Sequence, residues 1–225
     1  MRRNSLWACL VLAGMTAPTA AVQIVAHPLT VDRSGAYSNF VPGRTSQQAA
    51  DSFVLSSQTT LDGLSWYGQY RHSGSLTDPV AFSIRFFADA GGLPSISPLW
   101  ESNATVNAQD TGLTYGGFPW YSYSSPLTAL VLDPRSYWLS VRESDPRSDG
   151  GYPGEWLWGS SNTGAHYFAT RNDDANTWQR ANTWDMAFSL SGEPVPEPST
   201  FALLGTGAAG LLGFAWRWRK RTVRT

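Results

Sequence analysis

The adjacent pair Asp173 and Asp174, with Glu155 upstream, is the nearest this chain comes to an acid–base constellation. Two carboxylates at a suitable separation can protonate a leaving group and activate a water, the chemistry of glycoside hydrolysis. The same oxygens, with Asp145 and Asp149 in a neighbouring polar loop, could instead hold a hard cation such as calcium. None of these stretches has EF-hand spacing, and Asp-Asp after Asn172 is the composition of a solvated turn. His27, His72 and His166 are scattered through unrelated segments without metal-ligand spacing. There is no G-x-S-x-G elbow and no H-E-x-x-H pair. Asp51 and Asp185 stand among apolar residues on the candidate first and last strands, where they would hydrogen-bond across the edge of the fold or join a metal site. The expectation is a non-enzymatic protein without a cofactor. Structural calcium at Asp145, Asp149, Asp173 and Asp174 is a minor candidate, and a glycan hydrolase ranks third.

Aromatic side chains are the other chemical resource. The chain has eleven tryptophans, and Trp120, Trp156, Trp158 and Trp178 all fall in its second half. An exposed indole is a platform for a sugar ring, and nearby Asp, Asn and Arg can bind sugar hydroxyls. These four residues therefore make a carbohydrate-binding module the alternative to a structural role. Against it stands the ordinary use of large aromatics, which fill sandwich cores and form cross-strand pairs.

The elements that must position these residues are strands. Between the two ends there is no apolar periodicity of helical length, only short alternating runs separated by Gly, Pro, Asn and Asp. "LSWYGQY" puts Leu64, Trp66, Gly68 and Tyr70 on one face, and "VAFSIRFF" turns Phe82, Ile84 and Phe86 inward. "SYWLSVRE" opposes Tyr137, Leu139 and Val141 to Trp138, Ser140 and Arg142. "TWDMAFSLSG" opposes Trp184, Met186, Phe188 and Leu190 to Asp185, Ala187 and Ser189. "DSFVLS", "PWYSYS", "EWLWGSS" and "HYFATR" are weaker strands, and "ADAGGLPSISP" reads as a hairpin connection. About eight to ten such strands predict an all-β antiparallel two-sheet sandwich of jelly-roll type. The stretches from "QQAADSFVLSS" through "FSIRFFADAGGLP" and "YWLSVRE" to "WDMAFSLSG" resemble a domain common in exported bacterial proteins of unknown function. The resemblance covers most of 47–192 and implies a β-sandwich, but no activity.

Both ends carry addresses. Arg2 and Arg3 precede the apolar run Leu6 to Met15 and small residues through Ala21, the order of a secretory signal peptide over 1–21. Its removal takes the only cysteine, Cys9, so the domain over 22–192 must be held by its core without disulfides. From Val22 to Glu193 there are 9 arginines, no lysine and 16 acidic residues, a net charge of −7. Such a surface disfavours nucleic acid, whose phosphates need clustered cations.

After Gly192 the composition changes. Residues 193–200 hold a proline-rich linker, 201–216 an uncharged apolar helix, and 217–225 a basic tail. The helix reads as a short transmembrane segment, with Arg217, Arg219, Lys220 and Arg221 as its cytoplasmic stop. Gly205, Gly207 and Gly210 spell G-x-G-x-x-G, but inside an apolar helix rather than between a strand and a helix, so the nucleotide reading fails on context. The order of Pro196-Glu197-Pro198, apolar helix and arginine cluster resembles the PEP-CTERM sorting signal read by membrane-embedded exosortases. That resemblance implies exosortase as a partner, transient membrane contact, and delivery to the cell surface or polysaccharide matrix of a Gram-negative host.

Overall fold

The computed structural model describes residues 22–40, 46–71, 79–144, 156–182, 184–196, 203–212, 214 and 216. The signal peptide, His72, Asp145, Asp149, Glu155, Glu197, Pro198 and the basic tail lie outside the described residues. The first strands in chain order are β1 (Val22–His27), β2 (Ala36–Tyr37), β3 (Gln48–Val54), β4 (Thr59–Tyr70) and β5 (Val80–Ala88). There follow β6 (Trp100–Val106), β7 (Gln109–Tyr115), β8 (Phe118–Leu132), β9 (Ser136–Glu143) and β10 (Trp156–Trp158). The last are β11 (Ser160–Ser161), β12 (Tyr167–Arg171), β13 (Gln179–Asn182), β14 (Asp185–Met186) and β15 (Phe188–Pro194).

β4 is the spine of the first sheet. β8 pairs along one edge of it from Thr59 to Gly68. Along the other edge β15 pairs with Thr59 to Trp66, and β10 takes over from Gly68 to Tyr70. β7 extends the sheet beyond β8, β1 beyond β15 and β2 beyond β10. The second sheet runs β13-β12-β3-β9-β5-β6, and β11 pairs with β14 as a separate short ladder. All these ladders are antiparallel.

Period-two alternation decides what lies between the sheets. Leu64, Trp66, Tyr123, Phe188 and Leu190 of the first sheet share one core with Phe53, Phe82, Phe86, Tyr137 and Leu139 of the second. Trp66 meets Phe82 edge-on at 5.1 Å, and Phe53 meets Phe188 at 6.3 Å, so the sheets pack face to face. Gly68 breaks the row of large residues on β4 for a steric reason: a Cβ there would enter the indole of Trp156.

The outer face of the second sheet is also covered. Ala50, Phe87, Trp138 and Ala169 form a smaller apolar cluster closed by Trp178. Trp178 Nε1 donates to Ser95 O at 3.2 Å, and Trp138 Nε1 donates to Asp89 Oδ1 at 2.8 Å. The β5–β6 and β12–β13 connections thus fold down over that face. The first is the hairpin expected at "ADAGGLPSISP", turned by Gly91 and Gly92 at φ of 73° and 84°.

Fifteen strands replace the expected eight to ten. The additional ones are either two residues long or, like β6 and β7, carry no fully buried row; β6 turns Trp100, Ala104 and Val106 toward the core but leaves them only partly covered.

Candidate functional site

The four tryptophans expected to stack on sugars are all buried, which corrects that expectation. Trp120, Trp156 and Trp158 have no exposed surface and Trp178 has 6%. Trp156 and Trp158 face inward from β10, where Phe82 and Phe188 pack against them at 5.1 and 6.1 Å. Trp178 lies beneath the Arg171 guanidinium, 4.4 Å from its ring centre. Large aromatic area is more valuable out of water than on display.

Asp174 is corrected as a calcium ligand. Its Oδ1 accepts from Arg85 Nη1 at 2.6 Å, Arg171 Nη2 at 3.0 Å and Arg142 Nη1 at 3.4 Å. Three guanidiniums converging on one oxygen repel a further cation. Arg85 also donates to Glu101 Oε1 at 2.8 Å. Partial burial works against the charged form of Asp174, but the three arginines outweigh it and hold the carboxyl below its usual range. Asp173 is exposed on the same turn, which closes with Asn176 N–H donating to Asp173 O at 3.0 Å.

Asp51 and Asp185 do hydrogen-bond across the fold, at the mouth between the sheets. Asp51 is fully buried; its Oδ2 lies 3.1 Å from His27 Nδ1 and accepts from Met186 N–H at 2.8 Å. Burial pushes its carboxyl up to about 6, against the lowering effect of His27 and with a further push from Asp185. Asp185 Oδ2 accepts from the His166 amide at 3.0 Å, holding His166 at φ 58° with its ring exposed. Asp185 Oδ1 and Ser160 Oγ are buried without a hydrogen-bond partner among the described residues. Among the described residues, no group of three or more His, Cys, Asp or Glu is placed to hold a metal ion.

An open groove of ≈ 360 Å³ lies on the outer face of the first sheet. Strand register builds it from two rows on four strands. One row is Gln23, Ser191, Gly63 and Pro126 across all four, and the other is Ser189, Ser65 and Ser124 across three of them. Ser65 and Ser189 hydroxyls lie 2.7 Å apart, and Ser191 Oγ donates to Asp62 Oδ1 at 2.8 Å. A Cβ on Gly63 would meet Ser191 Oγ, so the glycine opens the floor. The lining offers neutral donors and acceptors but no histidine to activate a hydroxyl. Serine at alternate positions on wet strand faces was the available signal, and only register brings those serines together.

The sandwich closes at its C-terminal end on β15. Pro194 pairs with Thr59, and Val195 N–H donates to Gln58 O at 2.7 Å. Pro196 is exposed. Helix 203–212 follows, and Leu203, Leu204, Leu211 and Leu212 are each more than 70% exposed. Residues 194–220 match the family model of the PEP-CTERM protein-sorting motif. This chain carries that motif. No curated protein matches the chain.

The PEP-CTERM motif marks proteins exported and sorted at the cell envelope, with exosortase as the processing partner. It begins at the last residue paired into the sandwich. The expectation of a membrane-spanning helix over 201–216 is corrected in one respect: no described helix is long and apolar enough to cross a membrane. The described run 203–212 rises only about 15 Å, half of a hydrocarbon core of about 30 Å. Glycines at 205, 207 and 210 have open space around them.

Proposed function

We propose that this protein is displayed at the cell surface or in its surrounding matrix as a non-enzymatic binding module, after exosortase removes its C-terminal tail. The observation that supports this reading is the position of the PEP-CTERM motif, which starts where strand pairing stops. Cutting at or beyond Pro196 leaves the β15–β4 ladder and the Val195–Gln58 bond intact, so processing costs the fold nothing. Contact of 201–216 with the membrane, stopped by Arg217, Arg219, Lys220 and Arg221, is then transient. Intact-mass analysis of the surface protein from its native host tests the proposal. The expected mature chain lacks Trp216 to Thr225, and a surface form retaining them overturns it.

Carbohydrate binding is a second reading, moved from the tryptophans to the serine groove. Its support is the set of serine hydroxyls lining the groove, which suits a neutral polyol better than an ion or an apolar ligand. Gly63→Val fills the groove floor. Loss of polysaccharide retention in that variant, with unchanged melting, is the expected result; unchanged retention removes this reading.

A further inference from the structure

Arg85, Arg142 and Arg171 come from three strands of one sheet, β5, β9 and β12, and present their guanidiniums on its outer face. Each is at least nine-tenths buried, yet the Asp174 side chain that caps them is half exposed. The cationic cluster therefore lies one side chain beneath solvent. Arg142 is not fully satisfied: its Nε is buried with no hydrogen-bond partner among the described residues, and its one Nη contact to Asp174 is long at 3.4 Å. Mutual repulsion adds to the strain. Burial and the neighbouring arginines push both Arg142 and Arg171 below the usual guanidinium range. The scaffold around them is rigid, because Arg171 Nε donates to Gln48 Oε1 at 2.7 Å and its ring-stacked face rests on Trp178. Asp174 itself is carried by the β12–β13 connection rather than by a strand.

We propose that this three-arginine cradle is a carboxylate-binding site for an acidic sugar chain, closed in this structure by the protein's own Asp174. Planar guanidinium forks can match a carboxylate geometrically, and the internal occupant shows that the cradle takes a carboxylate oxygen, with all three arginines on Asp174 Oδ1. The rim favours a sugar over a peptide. The Ser95 hydroxyl, the Ile96 carbonyl that accepts from Arg171 and the Asp173–Asn176 turn make a polar rim beside Arg171 and Asp174, whereas an acidic peptide would want a free strand edge or an apolar slot. An incoming uronate displaces Asp174 into solvent, gives Arg142 its missing acceptor, and places its ring hydroxyls against the rim. The site is separate from the serine groove, so Gly63→Val leaves it intact and the two readings fail independently.

Calorimetric titration of the purified full chain with an oligogalacturonate tests the proposal, with an equally long neutral glucan and inorganic phosphate alongside. Removing the internal competitor in Asp174→Asn is expected to tighten oligogalacturonate binding about threefold to fivefold, with no response to the glucan. Adding Arg142→Gln to that variant is expected to abolish the gain. Where Arg142→Gln melts early, Arg85→Gln in the same background reads the same point. The proposal is overturned if Asp174→Asn gains nothing, if the gain survives loss of the arginine, or if glucan or phosphate alone binds equally well.

Discussion

The inner face of the second sheet buries a carboxylate, Asp51, while its outer face buries three guanidiniums around Asp174. Both aspartates have partners, yet their acidities move in opposite directions. Asp51 has no exposed surface, and one imidazole with two backbone N–H groups does not repay its lost hydration. Asp174 keeps a route to water and faces three cations, so Coulombic attraction prevails over partial burial. The contrast shows that access to water and the number of facing charges, rather than the presence of a partner, set the sign of each shift.

Removing the buried acid should break the comparison most severely. Asp51→Ala leaves the Met186 and Ser52 amides and His27 without their acceptor, and is expected to cost about 3–5 kcal/mol in urea unfolding. Asp51→Asn keeps an acceptor and should cost far less above pH 6.

The next effect is one of pH. Between its ordinary value of 3.8 and about 6, Asp51 binds its proton more tightly in the folded protein. Its stabilising contribution is thus complete below 3.8 and is lost as pH rises through about 6, a fall of about 3 kcal/mol. Asp174 has the opposite sign, since its contribution is present above the unfolded value and lost as pH falls through the lowered folded one. Stability measured from pH 4 to pH 7 should decline in the wild type and be flatter in Asp51→Asn. An unchanged slope in that variant removes Asp51 as its cause.

On the outer face, Trp178→Ala uncovers Phe87 and takes the stacking surface from Arg171. The expected loss is about 3 kcal/mol, the low end for a buried tryptophan, because Trp178 sits in a connection that covers the sheet rather than in the core between the sheets. Asp174→Asn is the mildest change. A half-exposed ion-pair partner contributes under about 1 kcal/mol, and thermal melts at raised salt should shrink even that difference.

Much of the architecture was legible in the residues. Alternation identified the inward rows Phe82-Ile84-Phe86 and Tyr137-Leu139-Val141, and it set Trp138 on the opposite face. It could not tell that the opposite face is itself roofed, because the roof comes from Trp178 and the β5–β6 connection, remote in sequence. Of the tryptophans that looked available for stacking, Trp178 is itself part of that roof, and Trp156 and Trp158 face inward from β10 into the main core. The acids were noticed, but the Asp173–Asp174 turn is an arginine cap rather than a calcium site, and Asp51, which does hydrogen-bond across the fold, is the carboxyl whose acidity burial weakens.

Local sequence alone determined the β class, the hairpin at Gly91 and Gly92, and the PEP-CTERM tail, because turn chemistry, two-residue periodicity and a sorting motif are all read within a few neighbouring residues. Only the tertiary structure decided which charges meet. His27 and Asp51 lie 24 residues apart, Arg85 and Asp174 89, and Asp51 and Met186 135. Their meeting depends on strand register across two sheets, and register comes from the packing of the whole core, which no short stretch contains.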